Sequence, residues 1–173
     1  MVVFEMREIE VGLSMLYCLS HPFSYMIDQL RKVEVHHVEV LDESSHALNK
    51  RRIKIIKEIA QSRSLSLTVH ASFVDVNIAS PNSTFRRVML KRHKRSVRLA
   101  GELEARLWVF HSGLKTGVSH FYPGVDWKIN LQSIRELIDV AKENDVEITI
   151  ENTPNPFPFI LKSVDDFARF FGE

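Results

Sequence analysis

Short runs rich in β-branched and apolar residues alternate with longer stretches in which apolar residues recur every three or four positions. The short runs are Ile9 to Leu13, His37 to Leu41, Leu65 to His70, Arg106 to Phe110 and Val146 to Ile150. The first helical stretch is expected to open at Ser24 as N-cap, with Met26, Leu30 and Val33 as its buried stripe. The second runs from Asn49 to Ser62, with Ile53, Ile56 and Ala60 inward. The third runs from Ser83 to Leu103 and places Phe85, Val88, Met89, Leu99, Ala100 and Leu103 on one face. Leu131, Ile134, Leu137, Ile138 and Ala141 stripe the fourth, after a loop holding Gly113, Gly117, Pro123 and Gly124. Ser163 to Phe171 is the last, with Ser163-Val-Asp-Asp as its cap.

This is an α/β chain of five (βα) repeats. Each crossover helix returns the chain to the same end of the sheet, so the strands must be parallel. Leu67-Thr-Val, Leu107-Trp-Val-Phe and Ile148-Thr-Ile read as nearly continuous apolar runs, which predicts burial on both faces. Two architectures fit: an open doubly wound sheet, or about five strands of a (βα)8 TIM barrel. With only 6 Gly and 6 Pro and no Ser/Gly tract, residues 1–173 read as one domain.

Composition narrows the functional classes. Lys and Arg number 23 against 22 Asp and Glu, a net charge of +1, so nothing global points to nucleic acid or an anionic membrane. A single cysteine, Cys18, excludes an internal disulfide and a Cys-based zinc site, and a reducing cytoplasmic setting is expected. No apolar run reaches the roughly 18 residues of a membrane span, and charges come too early for a signal peptide.

The informative residues end the predicted strands. Glu39-Val-Leu-Asp-Glu ends the second, His70 the third, His111 the fourth and Glu151 the fifth. The intervals amount to roughly 30 to 40 residues, one βα unit each, so these side chains collect at one rim of a parallel sheet, where βα loops shape a pocket. Two imidazoles and a carboxylate are good donors for a divalent ion such as Zn²⁺, Mn²⁺ or Mg²⁺. The competing reading is that each histidine is an ordinary hydrogen-bonded strand terminus.

Val69-His-Ala-Ser-Phe-Val-Asp-Val-Asn-Ile-Ala-Ser-Pro, Val109-Phe-His-Ser-Gly and Ile150-Glu-Asn-Thr, in this order, resemble the third-, fourth- and fifth-strand motifs of the xylose isomerase-like TIM barrels. That superfamily contains sugar and sugar-phosphate isomerases and epimerases, and also endonuclease IV-type repair enzymes. The resemblance implies a divalent metal at the barrel rim with His70, His111 and Glu151 as ligands, and Glu151 also as catalytic acid/base. It implies substrate-side positions for Glu39, Asn77 and Asn152, and a small sugar or sugar phosphate as partner. Phe73 stands where the repair enzymes tend to carry a tyrosine, and a phenyl ring offers no hydroxyl. With Val74 in place of a polar residue, this leans away from an endonuclease IV-like phosphodiesterase and from nucleic acid as partner.

The family's further metal ligands come from strands six to eight, and a closed barrel takes about 250 residues. Five strands leave open edges and a bare inner wall. The expectation is therefore a homo-oligomer or a completing chain, with a catalytically inactive truncated barrel as the remaining alternative.

Other features admit plainer readings. Arg86, Arg87, Lys91, Arg92, Lys94, Arg95 and Arg98 form a basic helix, expected to be a solvated outer face remote from the rim. His21, His46 and His120 are expected to be solvated loop residues, and His36 and His37 to lie at the wrong end of the second strand. Cys18 is expected to be an ordinary thiol, and Phe157 and Phe159 to pack a Pro-rich loop.

Overall fold

A computed structural model describes residues 10–153 and 155–173. Five strands, β1 (Gly12–Ser14), β2 (His37–Leu41), β3 (Ser66–His70), β4 (Leu107–His111) and β5 (Glu147–Glu151), form one sheet in the order β1-β2-β3-β4-β5. All four pairings are parallel. Helices α1 (Phe23–Leu30), α2 (Lys50–Arg63), α3 (Ser83–Glu102) and α4 (Val125–Glu143) make the crossovers, and α5 (Val164–Gly172) follows β5. Of the two architectures the sequence allowed, the unbroken strand order is that of a partial barrel, and the sheet is not closed.

The core lies between the sheet and its helices. Val38, Val40, Leu67, Val69, Trp108 and Phe110 are buried against a layer that includes Ile53, Ile56, Val97, Ile134 and Leu137. The other sheet face carries His37, Glu39, Ser66, Thr68, Leu107, Val109, Glu147 and Thr149, all half-buried or exposed. The expectation of strands buried on both faces is thus corrected. The apolar runs are broken at alternate positions by residues of the concave face, which no second layer covers among the described residues.

Local chemistry sets most boundaries. Asn49 caps α2 by accepting from Arg52 N at 3.1 Å, and Asn82 caps α3 by accepting from Thr84 N and Phe85 N. Ser163 and Asp166 form the expected reciprocal capping box on α5. α1 differs: its N-cap is Pro22, in an extended conformation, and Ser24 falls inside the first turn. The helix ends at Leu30, and Val33 is buried just beyond it. β1 begins at Gly12 rather than Ile9, which lies outside the described residues. In α3 the buried face is Leu90, His93, Ser96, Val97, Leu99 and Ala100, while Phe85 and Val88 are exposed. Both precede the first buried residue of the helix, Leu90.

Candidate metal centre at the strand ends

The ends of β3, β4 and β5 bring three of the predicted residues together. Parallel register aligns His111 with Glu151 across β4 and β5, and His70 with Val109 across β3 and β4. His70 Nε2 lies 3.0 Å and His111 Nε2 3.1 Å from the same atom, Glu151 Oε2. One ligand atom from each of the three lies within 4.8 Å of the others. The imidazole centroids are 5.1 Å apart and edge-on.

The proton arrangement tests whether this cluster suits a cation. His70 Nδ1 contacts the Ala71 carbonyl oxygen at 2.8 Å. A carbonyl only accepts, so Nδ1 carries the proton. In the neutral ring Nε2 then offers a lone pair, and it faces a carboxylate oxygen that also only accepts. The 3.0 Å contact is favourable only with positive charge there, either a second imidazole proton or a metal ion. Burial and the neighbouring His70 charge lower the pKa of His111, against the opposing pull of Glu151. Burial works against ionisation of Glu151, but hydrogen bonds and charge from both imidazoles outweigh it and hold its carboxyl below the usual range. An ionised carboxylate faced by two imidazole nitrogens is a donor set that calls for positive charge between them, which a divalent ion would supply. The donor set therefore fits such an ion.

Aromatic rings enclose the imidazoles. Phe73 lies edge-on to His70 at 5.5 Å and 5.9 Å from His111, and Phe159 lies edge-on to His111 at 5.0 Å. Phe159 also forms a bridge with Leu114 and so helps fasten its loop, as the sequence suggested, while walling the site.

The three remaining predicted site residues sit apart from this triad. Glu39 is mid-strand on the concave face, where its carboxylate accepts from Ser14 Oγ at 2.6 Å. Asn77 is buried and ties two loops together: its oxygen accepts from Ala79 N and Leu114 N, and its amide donates to Leu114 O. Asn152 is exposed, directly after Glu151.

Several other readings need correction. His46 is fully buried: the short turn Ser44–His46 folds its ring inward, edge-on to Phe23, and Nε2 pairs with His21 O at 2.9 Å. The basic helix is not simply a solvated face remote from the rim. Arg86 donates to Ser80 O, Arg92 to Ser72 Oγ and Arg95 to Leu48 O, so three of its cations reach back to rim loops. Arg87, Lys91, Lys94 and Arg98 line a groove of about 430 Å³ beside Glu136 of α4. Cys18 is buried, and burial pushes its thiol pKa up, as befits an unreactive thiol.

The sequence pattern assigned no role to the buried Glu43, which stood only as the last residue of the second strand's end, or to His93. Glu43 is 2% exposed at the end of β2, and His93 is 1% exposed beneath Trp108 and Phe110. The signal for Glu43 was its adjacency to the strand end. His93 stands in the sequence among the Lys and Arg residues of the basic helix, with nothing local to mark it as buried.

Residues 27–173 match the xylose isomerase-like TIM barrel family. The chain belongs to that family. Family relatives include two uncharacterized proteins of Methanocaldococcus jannaschii. One is 24% identical over 148 residues, covering 86% of this chain and 50% of the relative. The other is 30% identical over 108 residues, covering 62% and 42%. Among solved structures, a D-tagatose 3-epimerase-like protein superposes with a TM-score of 0.80 at 23% identity, over 88% of this chain and 56% of the other. D-Psicose 3-epimerase with D-tagatose, from Clostridium cellulolyticum H10, gives 0.75 at 19% identity, over 95% and 59%. The chain thus spans about half the length of the curated relatives it matches.

Proposed function

We propose that this chain forms the metal- and substrate-binding rim of a sugar, or sugar-phosphate, isomerase or epimerase. The observation that carries the reading is the convergence of His70 Nε2 and His111 Nε2 on Glu151 Oε2. The family and its epimerase-named structural neighbours support the substrate class. His70, His111 and Glu151 would hold the ion. When bound, a divalent ion polarises a substrate carbonyl or hydroxyl oxygen. Glu151, ionised at neutral pH, helps move a proton at the carbon next to that group. His70 and His111 complete the metal shell or orient substrate oxygens, with Phe73 and Phe159 keeping water from the apolar side of the ligand. Glu39 on the concave face and Asn152 beside Glu151 are candidates for substrate contact, and Asn77 supports them by tying the two rim loops together. Phe73 beside both imidazoles, with no hydroxyl to donate, favours this reading over a phosphodiesterase.

The test is thermal unfolding of metal-free protein with and without millimolar Mn²⁺ or Zn²⁺. Binding to the folded state raises the Tm, by the equivalent of about 4 kcal/mol when the ion is a thousandfold above its Kd. The His70→Ala/His111→Ala double variant should lose the shift. No shift in the wild type, or an equal shift in the variant, removes the metal role.

A further inference from the structure

We propose that Glu43 is a positioning residue for the rim site. Its buried carboxylate holds the loop after β3 so that the Phe73 ring fixes His70 and His111 facing Glu151. This rests on the reading of the rim as a metal centre.

Glu43 Oε2 accepts from Phe73 N at 2.9 Å and Val74 N at 3.0 Å. Its Oε1 accepts from Ser44 Oγ at 2.8 Å and lies 3.5 Å from an Arg92 guanidinium nitrogen. Arg92 also donates to Ser72 Oγ, which in turn donates to Asp42 O. The loops after β2 and β3 and the middle of α3 are therefore joined through one carboxylate. The next covalent step matters most: the backbone that Glu43 grips belongs to Phe73, whose ring contacts both imidazoles.

The chemistry demands a carboxylate of this length. A buried charge is costly unless its lone pairs are used, and here four donors use them. A glutamine offers one acceptor oxygen: turned to the Phe73 and Val74 amides, it points its NH₂ at the Arg92 guanidinium, which only donates, and it carries no charge to pair with it. An aspartate is one methylene short of the Phe73 and Val74 amides. Partners around a metal's ligands typically tune affinity 10- to 100-fold.

The experiment compares Zn²⁺ affinity by calorimetry and the imidazole ¹⁵N–¹H correlations of metal-free protein. Glu43→Gln should bind Zn²⁺ roughly tenfold more weakly or worse and should move the His70 and His111 cross-peaks. Phe73→Leu keeps the carboxylate network but removes the ring, and should change both readouts the same way. Arg92→Gln should have a smaller effect, its contact being the longest. The proposal is overturned if folded Glu43→Gln binds within twofold of wild type with unmoved cross-peaks, or if Phe73→Leu leaves both unchanged. Should Glu43→Gln fail to fold, Phe73→Leu decides. Wild-type protein that binds no Zn²⁺ would defeat the metal reading, while the cross-peaks would still judge the positioning role.

Discussion

At the residue scale, burial decides which histidines can act. His93 is packed edge-on against Trp108 and Phe110, and its Nδ1 has no partner among the described residues. Burial first, then the charge of Arg92, lowers its pKa from 6.5 to about 4. The unfolded chain therefore takes up a proton that the folded chain refuses between those values. The contribution to stability is complete above pH 6.5 and is lost as pH falls toward 4, by an amount on the order of 3 kcal/mol. Replacing His93 by Phe should make the fall in Tm between pH 6.5 and 4 shallower. Parallel pH profiles for variant and wild type would show that other groups drive it. His70 and His111 differ from His93 because a carboxylate and a rim opening face them.

At the element scale, the site depends on how closely two loops approach. A Cβ on Gly113, after β4, would lie 2.2 Å from Ala79 Cβ and 2.6 Å from Ala79 N. Gly113 N donates to Asn130 Oδ1 of α4, and Asn77 bridges the same two loops. Nothing smaller than a backbone shift relieves such a clash. Gly113→Ala should therefore destabilise the fold by about 1–3 kcal/mol, the usual cost of overpacking. It should also weaken metal binding by parting His70 from His111. A variant with wild-type denaturant midpoint and Zn²⁺ affinity would contradict this account. The sequence marked Gly113 only as a loop glycine, because nothing local announces which distant backbone it meets.

For the whole molecule, the open sheet is the governing fact. β1 pairs only with β2 and β5 only with β4, leaving one edge free at each side among the described residues. Free strand edges beside an uncovered concave face favour association. The expected outcome of light scattering is a species heavier than the 20.0 kDa chain. A monodisperse, cooperatively unfolding monomer would count against it. The concave face itself is mostly polar, with His37, Glu39, Ser66, Thr68, Glu147 and Thr149 around Leu107 and Val109. Whatever meets it must offer hydrogen bonds to the polar residues as well as cover for Leu107 and Val109.

The order of strands and helices, the parallel sheet and the gathering of His70, His111 and Glu151 at one rim were legible in the chain. Each follows from period, crossover and strand-end position, which are local or topological properties. Glu39 and Asn77 were legible as polar residues of the sheet and its loops, but their partners, Ser14 and Leu114, were not. Tertiary packing alone decided that Phe85 and Val88 face solvent, that His46 and His93 are buried, and that Glu43 grips the Phe73 loop. Those outcomes depend on which surfaces distant segments present to one another, and one-dimensional patterning carries no such information.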